Sequence, residues 1–496
     1  MIYRTLGRTD LRISPIGFGT YRASNEAEQH RDALEYAIES GFNLIDSSAN
    51  YMDGSSEMLI GSTLIKCENE GIVTRDEIIL VTKGGYIQGQ NYERAIEREQ
   101  KYMPYDDLVK VSPGLWHCIH PEFLEEQITR SLERLQVDCI DVYLLHNPEY
   151  YFAFAKKQHK KLPEAREEFY ARIEKAFRHL EYEIVQGRIR WYGISSNNFP
   201  TAADHDEHVS LERIFSIAES IGERHHFGVV QFPMNLFENH AATLPNAIDG
   251  TASLLSFAAS KNLGVLVNRP LNSLKENQLI RLAEPAFYSE IREEDVASEL
   301  QAFTHSEAML QEALVSSIYA GDAHADMNAL FGIGDFLSKN WKSLTSSQQF
   351  NELYAQHFHP RFMHLMQIVS DVDTDAVGSL DQESDADRLK ALFHQYRSAF
   401  RRCIEIMAAS LTLKSRSINL RLHGLLSQAW DGKYSEQLLS QKALLALLTT
   451  EGVHAVLLGM RRVEYVDDAH AALSLLQNES RTFDWNRWNT LSGGNF

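Results

Sequence analysis

The sequence predicts an α/β fold, a (β/α)8 TIM barrel with a large α-helical insertion between strand 7 and the last βα unit. Three observations predict it. Eight short apolar, β-rich runs are each followed by a turn and an amphipathic stretch. No Gly-rich dinucleotide loop follows the first run, which favours a closed barrel over a doubly wound sheet. The strand-helix rhythm is broken only once at length, late in the chain.

The elements follow in order. The opening segment, with Gly7-Arg8-Thr9-Asp10 as its turn, reads as a hairpin ahead of the first barrel strand. Barrel strands are expected at 14–19, 43–46, 78–82, 139–146, 188–194, 228–232, 264–268 and 454–459. Helices at 27–40, 56–66, 121–135, 164–186, 211–223, 252–261, 440–450 and 466–477 show apolar residues at i, i+3, i+4 spacing. A small insertion at 86–112 leaves after strand 3. The large one shows no strand pattern and reads as helices, for example 307–317, 350–372 and 387–409. Within it, 371–387 carries seven acidic residues and no base, the composition of a solvated loop. The domain reading is a barrel over 1–274 and 440–496, and a helical insertion over 275–439. Following strand 7, that insertion would emerge from the face where barrels place their chemistry, as a lid or a contact in a homo-oligomer.

Composition narrows the function classes. The 496 residues are 44% hydrophobic and 23% charged, with a net charge of −20. Such a chain repels phosphate backbones and anionic lipid, so nucleic acid and membrane surfaces are poor partners. Cys67, Cys118, Cys139 and Cys403 are scattered without CxxC spacing, and no basic-then-apolar leader opens the chain. A cytoplasmic setting is the expectation.

Asp46, Lys83 and His146 fall at the predicted ends of strands 2, 3 and 4, and Tyr51 lies on the loop after strand 2. Singly, each has a plain structural reading as a cap, a solvated charge or a turn residue. Together they place a carboxylate, an ammonium, an imidazole and a phenol at one barrel mouth. An ammonium favours the phenolate and a carboxylate holds the ammonium, which is a coherent proton-transfer set.

These residues resemble the aldo-keto reductase family. The run over 3–20 looks like the opening of its members, and Asp46-Ser47-Ser48-Ala49-Asn50-Tyr51, with Gly54, Ser56-Glu57 and Gly61, looks like their Asp-x4-Tyr signature. Val81-Thr82-Lys83 and Leu144-Leu145-His146 resemble the lysine and histidine motifs. The resemblance covers about 1–274 and 440–477. It implies NAD(P)H-dependent reduction of an aldehyde or ketone, or oxidation of a sugar or other alcohol. Tyr51 would be the general acid or base, Lys83 would lower its pKa, Asp46 would hold Lys83, and His146 would orient the substrate.

The same resemblance implies the cofactor residues. Ser195, Ser196 and Gln231 match positions that bind the nicotinamide amide, and Gly19, Thr20 and Tyr21 match the first-strand loop beside it. Arg269 and Leu271 start the loop after strand 7, while Gly459, Arg461, Arg462 and Asp468 match the segment around the adenosine phosphate. Two adjacent arginines near a helix start suit a 2′-phosphate, so NADP(H) is expected in preference to NAD(H). The sequence departs from the family at Tyr465 and Ala469, and 267–272 lacks the aromatic that stacks on nicotinamide. Arg269 could compensate by pairing with the pyrophosphate.

Other readings stay open beside this one. A reductase-like barrel could serve as a slow or inactive nucleotide-sensing or scaffold subunit. His357-Phe358-His359 with His364 invites a metal, but helix residues two apart point away from each other, so no metal site is expected. The aromatics at 150–154 could wall a substrate site or pack under the insertion.

Overall fold

The computed structural model describes residues 1–275, 278–283, 291–317, 330–344, 347–375 and 382–493. These form two compact units, one of Met1–Ser273 with Leu425–Phe496 and one of Leu274–Gly424.

The first unit is a closed parallel barrel. Its strands are β1 (Ile16–Gly19), β2 (Leu44–Asp46), β3 (Ile79–Gly84), β4 (Ile140–His146), β5 (Ile189–Ser195), β6 (Phe227–Pro233), β7 (Gly264–Asn268) and β8 (Ala455–Leu458). Each pairs with the next in sequence, β8 pairs with β1, and the ring closes. The helices after the strands are α1 (Glu28–Glu39), α2 (Ser55–Asn69), α3 (Pro121–Leu135), α4 (Leu162–Val185), α5 (Leu211–Ile221) and α6 (Leu254–Ser260), then α7 (Leu439–Leu448) before β8 and α8 (Val463–Gln477) after it. Strands buried on both faces explain why their runs read as continuous apolar stretches rather than alternating ones.

Leu44, Ile79, Val81, Val142, Leu144, Val229, Leu266, Ala455 and Leu457 pack together with Leu6, Leu11 and Ile13 of the opening hairpin. The hairpin pairs Arg4–Thr5 with Arg12–Ile13, and its Gly7 takes a left-handed φ of 54° against the start of β7. It therefore belongs to the barrel core, as a plug at the end opposite the strand C-termini.

The stretch after β3 is more structured than its polar sequence suggests. Tyr86–Ile87, Val109–Ser112 and Leu115–His117 form a three-stranded antiparallel sheet, with helix Gln90–Gln100 between the first two. Ile87, Ala95, Tyr105, Trp116, Cys118 and Phe123 give it a small core of its own.

The second unit corrects two expectations. Near its start the strand Gln278–Arg281 pairs with Asn272–Lys275 in a two-stranded sheet, so the insertion is not purely helical. The acidic stretch expected as a loop is helical over 371–375 and 382–387, because helices His359–Asp375 and Gln382–Ala429 extend into it; 376–381 lie outside the described residues. Its core has helical spacing, with Val296, Leu300, Phe303, Leu310 and Leu314 lying along one helix, Glu293–Ser317, and packed with Phe350, Tyr396 and Phe400.

One close approach inside the barrel is testable. Between β5 and β6 the register shifts after Tyr192, and a Cβ on Gly193 would overlap the backbone carbonyl of Val229. Gly193→Ala is expected to cost about 3 kcal/mol of stability by forcing these two strands apart. Urea unfolding followed by circular dichroism measures it; a loss well under 1 kcal/mol would show that the strands shift freely.

Candidate active site

The polar side chains at the C-terminal mouth of the barrel are built inward from three neighbouring strands. Asp46 ends β2, Lys83 is the next-to-last residue of β3, and His146 ends β4. Lys83 is fully buried, and its Nζ donates to Asp46 Oδ2 at 2.7 Å and to the Ser47 carbonyl at 2.6 Å. The same Nζ lies 5.1 Å from the centre of the Tyr51 ring. A buried ammonium without such partners would be untenable, so the pair is a precondition of this packing. Burial lowers the lysine's pKa against the pull of Asp46, and raises that of Asp46 against the pull of Lys83.

Tyr51 opens a 3-10 turn, Tyr51–Gly54, in which Met52 and Asp53 both take left-handed backbone angles, with φ of 48° and 54°. Consecutive non-glycine residues in that region are strained and persist only when neighbours hold them. The hold is visible: the Asp53 carboxylate accepts the Gln90 backbone N–H at 3.2 Å, capping the helix after β3. The ring of Tyr51 stands edge-on to Tyr21 at 5.3 Å and to His146 at 5.9 Å. Desolvation and the Asp46 charge push the Tyr51 phenol well above its ordinary pKa. This reverses the expectation that Lys83 would bring it down, because desolvation of the hydroxyl and the nearby carboxylate dominate. His146 is 7% exposed and neutral, held well below the usual imidazole range by burial and by Lys83.

A second polar row runs along β5, β6 and β7. Ser195 Oγ donates to Gln231 Oε1 at 3.0 Å, and Asn268 Nδ2 approaches the same oxygen at 3.3 Å. Gln231 Nε2 in turn donates to Asp46 Oδ1 at 2.8 Å, tying this row to the lysine pair. Ser196 is buried and its Oγ accepts the Asn198 N–H. Thr20 is buried with its N–H on the Asp46 carbonyl at 2.9 Å, while Gly19 lies beside Leu458 and Tyr21 is exposed. Thus Gly19, Thr20, Tyr21, Ser195 and Gln231 share the mouth with Asp46, Tyr51, Lys83 and His146.

The remaining predicted residues lie further out. Arg269, also left-handed at φ 54°, pairs with Glu238 at 3.4 Å, and its Nε has no hydrogen-bond partner among the described residues. Leu271 is half-buried in the same loop. Gly459 is exposed after β8, Arg462 caps α8 with its guanidinium 6.0 Å from the Tyr465 ring, and Arg461 is half-buried between them. Asp468 accepts a hydrogen bond from Gln441 at 2.8 Å and so is already engaged.

Several groups at the mouth escaped the sequence reading. Ser48 and Asn50 sit inside the Asp46–Tyr51 stretch and bond toward His146. Tyr86, three residues past Lys83, stands edge-on to His146 at 4.7 Å, and its hydroxyl accepts from Asn147 at 2.7 Å. His117 arrives on the excursion sheet with its Nε2 2.7 Å from the His146 carbonyl, and nothing in its sequence context points to that position. Burial lowers its pKa to about 4. Buried Glu149, three residues past His146, accepts the Asn197 N–H at 2.8 Å.

The model of the aldo/keto reductase family matches residues 15–278. That is more than half of the chain, which therefore belongs to the aldo-keto reductase family. Among curated relatives, the NADH-specific methylglyoxal reductase of Escherichia coli strain K12 is 27% identical over 152 residues, or 28% of this chain and 40% of that protein. The NAD(P)H-dependent D-xylose reductase of Scheffersomyces stipitis is 26% identical over 230 residues, or 44% of this chain and 58% of that protein. The chain spans about half the length of the curated relatives it matches. A solved aldo/keto reductase from Klebsiella pneumoniae, in complex with NADP and acetate, is 20% identical, with 52% of this chain and 65% of that one covered and a TM-score of 0.32.

Glu149 gives this region a pH dependence with a definite sign. Burial raises its carboxyl from 4.5 to about 7. A raised folded-state pKa means the folded protein binds the extra proton, so stability falls as pH climbs from about 4.5 to about 7 and levels off above. Glu149→Gln keeps an acceptor for Asn197 and removes the titration. Its stability relative to the native protein should therefore rise across that window, as read by urea unfolding at pH 5, 6, 7 and 8; a constant difference at all four would show that Glu149 titrates normally.

Proposed function

We propose that this chain is a nicotinamide-dependent oxidoreductase that reduces an aldehyde or ketone, or oxidises the corresponding alcohol, with Tyr51 as general acid or base. The observation that carries the reading is the buried Lys83–Asp46 pair set against the Tyr51 ring at one barrel mouth. The residues suit a nicotinamide nucleotide. Ser195, Gln231 and Asn268 offer a hydroxyl and two amides side by side, and Asn268 Oδ1 is buried with no hydrogen-bond partner among the described residues, an acceptor matched to a carboxamide N–H. The bound reduced nicotinamide supplies the hydride.

The chain's own residues supply position and a proton. A phenol held above its ordinary pKa stays protonated at neutral pH, so Tyr51 keeps an O–H to donate to the carbonyl oxygen. Lys83, fixed by Asp46 and the Ser47 carbonyl, places a positive charge where the resulting phenolate needs it. His146 orients the substrate beside Tyr51. In the alcohol-oxidising direction the same groups act in reverse.

The test is cofactor consumption against a panel of aldehydes and sugars. Tyr51→Phe is expected to lower turnover roughly 10²–10⁴-fold while cofactor binding persists. Unchanged turnover in that variant would remove the assignment. Tight cofactor binding with no turnover in the native chain would favour a sensing or scaffold role.

We further propose NADP(H) as the preferred cofactor, with Arg461 and Arg462 at the 2′-phosphate and Arg269 at the pyrophosphate. The support is two adjacent cations at the start of α8 and the unpartnered Nε of Arg269. Titrations with NADPH and NADH should show Arg462→Ala weakening NADPH about tenfold and NADH little, and Arg269→Ala weakening both. Equal losses for both cofactors in Arg462→Ala would undo the NADP(H) preference, and no loss in Arg269→Ala would undo the pyrophosphate contact.

A further inference from the structure

Two adjoining recesses lie outside the barrel mouth, at the ends of α4 and α5 that follow the strand C-termini, and they share Arg166 and Arg213. One encloses about 300 Å³ between Tyr170, His208 and Asn246, and the other about 390 Å³ beside Leu162 and Pro163. Asn246 is 7% exposed, and its Nδ2 donates both protons, to the Phe199 carbonyl at 2.9 Å and the Thr201 carbonyl at 2.8 Å. Two carbonyl partners fix the orientation of the amide, since a flipped group would set its oxygen against both. Its Oδ1 is therefore an acceptor, buried and with no hydrogen-bond partner among the described residues. Arg166 is open in the opposite sense. Its Nη2 donates to the His205 carbonyl at 3.1 Å, while its Nε–H is buried and has no partner among the described residues. The wall of one recess thus carries an open acceptor and an open donor, where buried polar groups are as a rule paired.

Charge decides which chemistry would pair them. Arg166 and Arg213 are set against Glu164, Glu167, Glu212 and Asp249, two cations against four carboxylates. Arg213 is also engaged already, by Glu167 at 2.6 Å and over the Tyr170 ring at 4.1 Å. Burial holds His208 below its ordinary pKa, so it adds no charge at neutral pH. A phosphate or carboxylate would therefore meet a wall of its own sign. A hydroxyl meets no such objection, since it can donate to Asn246 Oδ1 and accept from Arg166 Nε. Leu162 and Pro163 add an apolar wall for the C–H face of a ring. We propose that these recesses form a second binding site, for a neutral polyhydroxylated molecule, a sugar or polyol, whose hydroxyls pair Asn246 Oδ1 and Arg166 Nε. The volumes fall at the lower end of those found for small-molecule sites. The site shares no residue with the barrel mouth and does not rest on the reductase reading. Its link to the mouth is mechanical: the Asn246 amide holds the stretch 199–201, which follows Ser195 and Ser196 out of β5.

Saturation-transfer NMR on the full chain tests the proposal, with D-glucose and D-glucitol as ligands and cyclohexanol and inorganic phosphate as controls. D-glucose is expected to bind with a Kd of about 1 mM, the strength of a few hydrogen bonds in a shallow site. Ala203→Trp puts bulk on the exposed lip of the recess without removing a polar group, and Arg166→Leu removes the open donor. Each should weaken D-glucose roughly tenfold, and cyclohexanol, a ring with one hydroxyl, should bind the native chain roughly tenfold more weakly than D-glucose. Failure of both polyols to bind at about ten times that Kd overturns the proposal. Unchanged D-glucose binding in a folded Ala203→Trp also overturns it, because the sugar then sits elsewhere, the barrel mouth included. Cyclohexanol binding as well as D-glucose removes the role of the hydroxyls, and phosphate binding in preference to D-glucose, lost in Arg166→Leu, makes this an anion site instead. Ala203 is exposed, so its variant decides the matter even where Arg166→Leu fails to fold.

Discussion

The burial of the Lys83 ammonium organises the mouth of the barrel. A lysine with no exposed surface needs its charge compensated and its protons accepted, and Asp46 and the Ser47 carbonyl do both. Asp46 has a second oxygen, and that one takes the Gln231 amide, which brings β6 and through Ser195 also β5 into the same network. One buried charge thus accounts for the mutual placement of residues from four strands. It also adds to the electrostatics around it: burial first and then Lys83 disfavour a charged His146, while burial first and then Asp46 disfavour an ionised Tyr51. Both neighbours are therefore neutral hydrogen-bonding groups at neutral pH.

Support for this arrangement comes from outside the β2–β4 ladder as well. Glu57, fully buried on α2, accepts from Thr82 at 2.5 Å and from Arg134 at 2.7 Å, which locks α2 to the strand carrying Lys83 and to α3. On the other side, the excursion after β3 reaches the site at four points: Gln88 on Asn50, the Gln90 N–H on Asp53, Tyr86 on Asn147, and His117 on the His146 carbonyl. The strained turn after Tyr51 is held by such contacts, the Gln90 N–H on Asp53 most directly. A sheet with its own small core is a stiffer brace than a loop of equal length would be.

How much of this could be read from the sequence follows from the range of each interaction. The barrel strands declared themselves because burial on both faces demands continuous apolar runs, and Asp46, Lys83 and His146 because a polar residue at the end of such a run has to be accounted for. Pro121–Leu135 could be bounded at both ends because proline marks its first turn and the apolar period ends at Leu135. The excursion sheet was missed since its strands are two to four residues long and pair with each other rather than with the barrel. The acidic stretch misled in the opposite direction: charge density argues for contact with water, which a helix can satisfy as well as a loop, so it does not choose between the two. His117 and Gln88 carry no local signal, because what makes them matter is a contact 29 or 38 positions away.

The departure on Tyr51 is the more instructive one, because the direction of its pKa shift is opposite to the one a neighbouring ammonium alone would give. From sequence, an adjacent ammonium means a lowered phenol pKa, a statement about one pair of charges. In the folded chain Lys83 faces the ring rather than standing alone with the hydroxyl, and most of its field is already answered by Asp46 at 2.7 Å. What reaches Tyr51 is closer to a dipole than to a cation, and a dipole cannot outweigh desolvation. That balance is set by what surrounds the hydroxyl in the folded chain, and sequence order alone could not have shown it.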